Sequence, residues 1–382
     1  MPDINTISPK WAENVQKATV GNLPSGDNSS IDSFLVAWNN FKNLLTKSVT
    51  AGSIFSNPIV STYSLVYSVA EGYSGGVIAL NGDIHFIPLQ ANRGQKISRN
   101  GAVSTYSLIY TASYAYSGGV LTASGDVHFV SLLANRGQKL DKNGIVSTYS
   151  LVYTNASGGY GGGALASNGE VHFIPRLAPV GQKISSAGIV STYSLVYTNS
   201  AIIKYIGGVL APNGDIHMVP FAAAVGQKIN NSGVVSTYSL PVTNSSGAYL
   251  GGVVATNGDI HFVPYYASIG TKINISGIIS TYSLLMTGAN LHGGGVLAPN
   301  GDIHFIPANA NRGQKISSSG VISTYSIIYA AANPSSSYGG VLQDNGDIHF
   351  IPYGAVGQKI STTSCLPFDI GVCCSSFLNK GL

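Results

Sequence analysis

Along most of the chain, apolar and polar positions alternate in short runs. In GGVLAPNGDIHFIP (294–307), two apolar stretches flank Asn300-Gly301. That dipeptide accepts the positive φ of a tight turn, so the run predicts a β-hairpin. A bend then leads to the short run GQKIS, and a polar turn, SSSG (317–320), follows it. The run VISTYSIIY (321–329) comes next, rich in β-branched and aromatic residues. Each such unit predicts four short strands, and none shows a sustained helical period.

The unit recurs. Ser-Thr-Tyr-Ser occurs seven times, starting at Ser61, Ser104, Ser147, Ser191, Ser236, Ser280 and Ser323. The histidine of an acid-aliphatic-His word falls at 85, 128, 172, 217, 261, 304 and 349. A Gly-(Gln/Thr)-Lys word keeps the same register, from Lys96 to Lys359. Four strands per unit and seven units predict an all-β, seven-bladed β-propeller with four-stranded blades. The array starts on a VSTYS strand and ends on GQKIS. With GGVLA innermost, the first strand would complete the last blade and close the ring.

Three segments follow: an N-terminal extension (1–50), the propeller (51–361) and a tail (362–382). The extension predicts two helices. The second, about 31–46, carries an apolar stripe that includes Phe34, Trp38, Phe41 and Leu45. The stripe needs a cover, either its own propeller or a neighbouring subunit. The tail holds all three cysteines, Cys365, Cys373 and Cys374, so no disulfide framework can staple the body. Free buried thiols are expected there, with intermolecular disulfides, metal binding or acylation as alternatives.

Composition narrows the function classes. Charged residues are only 9% and the formal net charge is +4, too little for an electrostatic nucleic-acid binder. No apolar run is long enough to span a bilayer. No basic-then-apolar leader opens the sequence, which points to a virion or the cytoplasm.

Candidate chemistry is sparse. Equivalent histidines in different blades are too far apart to share a metal, so none is expected. Within a unit, the acid, histidine, Ser/Thr, Tyr and lysine instead predict a repeated structural hydrogen-bond set. Aromatics before Gly-Gly form a possible ring for sugars or peptides: Tyr73, Tyr116, Tyr160, Tyr205, Tyr249 and Tyr338, with His292 in the sixth unit. The alternative is that each packs its own blade. Arg93, Arg136 and Arg312 mark a weakly basic sector on the same, variable face. Outside the repeat words the unique charges are Glu71, Arg99, Asp141, Lys142, Arg176, Lys204 and Asp344. No nucleophile–base order and no phosphate-cradling loop accompanies them, so no enzyme and no cofactor are expected.

The words GGVLAPNGDIHFIP resemble a tandem repeat of uncharacterised proteins of bacteria and large DNA viruses, in which Lys and Tyr stand for Asp and His. The resemblance covers the array, not the flanks. It implies a propeller and, more weakly, a virion or surface role. The combined expectation is a structural or interaction protein built into a larger assembly, through self-association or capsid-protein partners. The alternative is a glycan-binding propeller using aromatic loop residues on the variable face.

Overall fold

The computed structural model describes residues 58–328, 337–354 and 356–362. They form seven four-stranded antiparallel sheets, the blades of a propeller. Blade 1 runs from its innermost strand outward as Tyr73–Ile78, Ile84–Pro88, Arg93–Ile97 and Val103–Ser107. Blade 7 has Ser337–Leu342, Asp347–Pro352 and Val356–Ser361 from the C-terminal part of the array. Its outermost strand is Ile59–Ser64, paired from Ile59↔Ser361 to Ser64↔Val356. The ring closes as the strand count predicts. The helical extension with Phe34, Trp38, Phe41 and Leu45, and the tail with Cys365, Cys373 and Cys374, lie outside the described residues.

The repeat words have a shared mechanical cause. The glycine of Gly-Gln-Lys seats the tyrosine of the neighbouring Ser-Thr-Tyr-Ser strand. A Cβ on Gly181 would stand 2.1 Å from the Tyr193 ring. The tyrosine in turn meets the blade histidine edge-on, with His172 and Tyr193 ring centres 5.4 Å apart. In blade 2 the His128 Nδ1 and Tyr149 hydroxyl are within hydrogen-bond distance, 3.2 Å. The lysine pairs with the acid of the hairpin, as in Lys96–Asp83 at 2.7 Å and Lys228–Asp215 at 2.6 Å. Burial raises the Asp83 carboxyl, but the hydrogen bonds of Lys96 and the Arg99 amide outweigh it and hold the group low.

The glutamine of the same word joins one blade to the previous one. Gln182 Oε1 accepts the amides of Val152 and Tyr153 at 3.0 and 2.8 Å. Between blades the core is aliphatic and aromatic. Val77 and Ile87 of blade 1 pack with Tyr116 and Phe129 of blade 2. The second strand of each blade is buried along its length, so its histidine is largely withdrawn from water. Burial lowers His85 and His172 to about 4.

Candidate functional site

The two faces of the propeller differ. One carries the tight Asn-Gly and Ser-Gly turns. The other carries the connections between blades and the bends after the second strands, and it varies from blade to blade.

The tyrosine ring expected on this variable face is not a surface. Tyr73, Tyr116, Tyr160, Tyr205 and Tyr249 are at most 1% exposed. Each ring turns into its own blade against the second strand, as Tyr73 does on Phe86. The hydroxyls of Tyr116 and Tyr205 donate to the carbonyls of Arg136 and Val225 at 3.3 and 2.9 Å. His292 takes the same buried place in blade 6, where burial lowers it to about 4. Both of its ring nitrogens are without a partner.

Tyr338 breaks the series. Strand register pairs Ser337, not Tyr338, with the proline that ends the second strand. Tyr338 therefore stands one residue further in, where the other blades have Ser74, Ser117, Gly161, Ile206, Leu250 and Gly293. Arg93, Arg136 and Arg312 are exposed at the outer part of this face. Arg93 and Arg136 lie over the rings of Tyr67 and Tyr110, at 5.6 and 5.8 Å.

The innermost strands converge at a ring of glycines. A Cβ on Gly162, which has a φ of 110°, would stand 3.0 Å from the Gly207 Cα. No side chain fits between strands that close. On the hairpin side of this ring the axis opens into a cavity of about 260 Å³. Its lining includes Gly76, Val77, Ile78 and their counterparts, with no ionisable side chain.

On the variable side, the mouth gathers the residues that do not repeat. Tyr338 packs on Tyr353 in a tilted pair, with ring centres 4.6 Å and planes 41° apart. Its hydroxyl faces that of Tyr265, which is held above its ordinary range by burial and then by Tyr338. Tyr265 in turn meets Tyr266 at 5.1 Å and Phe221 at 5.7 Å. Tyr265, Tyr353 and Phe221 occupy the same position, just after the second strand, in blades 5, 7 and 4. Blade 6 has Ala308 there and Gly293 on its inner strand, where a Cβ would stand 2.1 Å from the Ser337 carbonyl oxygen.

Glu71 continues the arc into blade 1. Its carboxylate accepts from Gln90 Nε2 at 2.8 Å and from the Tyr114 hydroxyl, and its amide donates to the Tyr353 carbonyl at 2.9 Å. Burial and the Glu71 charge together raise Tyr353. Glu71 and Tyr114 have φ of 55° and 54°, in the left-handed region. At the equivalent point blades 3 and 5 have Gly158 and Gly247. A side chain in that region costs about 1 kcal/mol or more.

Sequence reasoning singled out Glu71 only as a unique charge and did not find Tyr114, Tyr265 or Tyr353. The signal was the irregularity itself, a departure from the repeat on one face.

No family model and no curated protein sequence matches the chain. Solved structures do. A streptogramin B lyase is 20% identical with a TM-score of 0.70, the match covering 80% of this chain and 99% of that one. Virginiamycin B lyase from Staphylococcus aureus is 20% identical with a TM-score of 0.69, over the same shares. The WD40 β-propeller domain of Doa1 is 12% identical with a TM-score of 0.58, covering 80% and 98%. At these identities the likeness is one of fold, a tandem-repeat propeller. It also corrects an expectation. The sequence reading excluded an enzyme, yet a chain with this fold, matched over nearly its whole length, is a lyase. The symmetry of the blades is no ground for excluding catalysis. The virion and capsid associations find no support in these matches.

Proposed function

We propose that this chain is a saccharide-binding propeller whose ligand lies across the mouth of the variable face. The observation that carries the reading is the tilted Tyr338–Tyr353 pair, with ring centres 4.6 Å apart, continued by Tyr265 on one side and Glu71 on the other. Aromatic faces suit the C–H faces of pyranose rings. Phenols, a carboxylate and an amide suit their hydroxyls.

A glycan array, followed by calorimetry on the hits, tests the reading. Tyr353→Ala is expected to weaken binding at least about tenfold, or about 1.4 kcal/mol, with unfolding little changed. The same incubations, read by mass spectrometry, report whether the ligand is turned over. An array without hits, or a Tyr353→Ala protein that binds as the parent does, overturns the proposal.

A second reading rests on the rim. The outermost strands carry Ser, Thr, Tyr and aliphatics but no charge, and residues at their ends, such as Ile189 at 65% and Leu285 at 64%, are exposed. Uncharged edge strands invite pairing with another copy. Sedimentation at increasing protein concentration checks this. A species that stays monomeric removes it.

A further inference from the structure

Two cations stand beside the aromatic arc without a counter-charge. The first, Arg176, follows the second strand of blade 3, in the position that Phe221 and Tyr265 occupy in blades 4 and 5. Arg176, Phe221 and Tyr265 therefore follow one another around the mouth in consecutive blades. The Arg176 side chain lies over Gly161 and Gly158. A Cβ on Gly158 would stand 2.4 Å from its Nη1. The guanidinium is half-buried, and burial lowers its pKa.

The second cation, Lys204, immediately precedes the inner strand of blade 4. Counterparts there are Gly72, Ala115, Gly159, Ala248 and Leu291. Lys204 is 0% exposed, and its Nζ donates to the Ala178 carbonyl at 3.1 Å. Burial lowers this amine to about 8. The two residues are joined through the main chain, the Lys204 amide donating to the Arg176 carbonyl at 3.0 Å.

The contrast with the blade lysines is sharp. Lys96, Lys139, Lys183, Lys228, Lys272 and Lys315 each meet an acid at 2.6 to 2.7 Å. Among the described residues, no carboxylate lies within ion-pair distance of Arg176 or Lys204. A desolvated cation without an opposite charge is unfavourable unless an anion joins it. The carboxylate of the arc, Glu71, belongs to its other end and is engaged by Tyr114 and Gln90.

The geometry points to an anion subsite at Arg176, backed by the buried Lys204, so that the saccharide taken at this mouth is an acidic one. Its sugar rings lie along Phe221 and Tyr265, and its carboxylate or sulfate meets the Arg176 guanidinium. Arg176 makes the contact. Lys204, beneath the surface, is a positioning residue that supplies field. This inference rests on the saccharide reading above and adds the ligand's charge.

The test is an array of matched pairs: uronate against hexose, sialylated against desialylated, sulfated against unsulfated. Hits are expected on the acidic members, at least about tenfold tighter than their neutral partners. Arg176→Gln is expected to erase that preference, so that each acidic member binds no tighter than its neutral partner. Lys204→Met, close in volume, is expected to weaken acidic ligands alone. Anion binding favours the protonated amine. Calorimetry near pH 8.5, in buffers of different ionisation enthalpy, should therefore show proton uptake by the parent that Lys204→Met lacks. Uptake is a readout that a merely structural lysine would not give. Equal affinity within the pairs, with Arg176→Gln silent, overturns the anion subsite and leaves saccharide binding standing. An array without any hit overturns both.

Discussion

Glu170 and Arg176 flank the same strand of blade 3, Val171–Pro175, at opposite ends. Glu170 meets Lys183 at 2.7 Å, and the hairpin acid of every other blade meets its lysine in the same way. Arg176 has no acid partner among the described residues, and no other blade has an arginine at that position. Inside the blade, each side chain is held by the next: acid to lysine, glycine to tyrosine, tyrosine to histidine. Changing one member spoils its neighbours, so all seven blades keep the set. At the Arg176 end, a residue answers to the mouth and not to its own blade. Seven blades fill that place with aliphatics, an arginine and aromatics. The blade interior carries stability, and the mouth carries whatever the protein recognises.

The sharpest way to break this division is to strike the interlock. In Gly181→Ala the new methyl would stand 2.1 Å from the Tyr193 ring, with strand backbone on either side. Overpacking of this kind costs about 3 kcal/mol. Arg176→Gln, at the mouth, is expected to stay within about 0.5 kcal/mol of the parent. Urea unfolding of the two variants measures the difference. Equal midpoints would mean that the glycine–tyrosine seat is not what keeps the repeat words together.

Acid should also find the blades before the mouth. His85, His128, His172, His217, His261 and His349 are lowered to about 4, chiefly by burial, and His304 to about 3. In the unfolded chain a histidine takes its proton near pH 6.5. Between about 6.5 and 4 the unfolded state therefore binds more protons than the fold, and stability falls as pH falls. It is fully present above about 6.5. Each buried histidine steepens the dependence by up to about 1.4 kcal/mol per pH unit. Below about 4 the salt-bridged carboxylates Asp83, Glu170 and Asp347, all held low, add further loss. Unfolding midpoints at pH 7.5, 6.5, 5.5 and 4.5 should drop steeply over the last two steps. A flat profile would mean that the histidines are not neutral and buried in solution.

The fold was legible because its constraints are local and repeated. Three words with one period give the blade count, and the missing last strand gives the closure that Ile59–Ser64 supplies. The glutamine was overlooked, although the sequence carries a clue to its role. Blade 5 has Thr271 in its place, and the outer strand of blade 4 has Pro241 where other blades offer an amide to that glutamine. Where the donor is lost, the acceptor is lost too. The mouth was not legible, for a different reason. Glu71, Tyr114, Tyr265, Tyr338 and Tyr353 are spread over the length of the array and meet only after the ring closes. Tyr338 was grouped with the other aromatics although it stands one residue before Gly-Gly and they stand two; strand pairing gives their position to Ser337.

His292 sits on the boundary between the two regions and gives the smallest, most discriminating effect. It occupies a blade-interior position, yet it departs from the repeat as mouth residues do. In blades 1 to 4 the tyrosine at this place donates its hydroxyl to a carbonyl at the start of the third strand. The matching residue in blade 6 is Arg312. The imidazole is shorter than a phenol and leaves both nitrogens unpartnered beside Phe305, with ring centres 5.3 Å apart. If the position belongs to the blade, His292→Tyr restores the missing bond and removes two orphaned nitrogens. The gain is then about 1 kcal/mol, a rise of about 2 °C in the melting temperature. If the position belongs to the mouth, the same change leaves the melting temperature unmoved or lower and alters saccharide binding instead. Thermal unfolding and the binding assay, run on one protein, place the boundary on one side of His292 or the other.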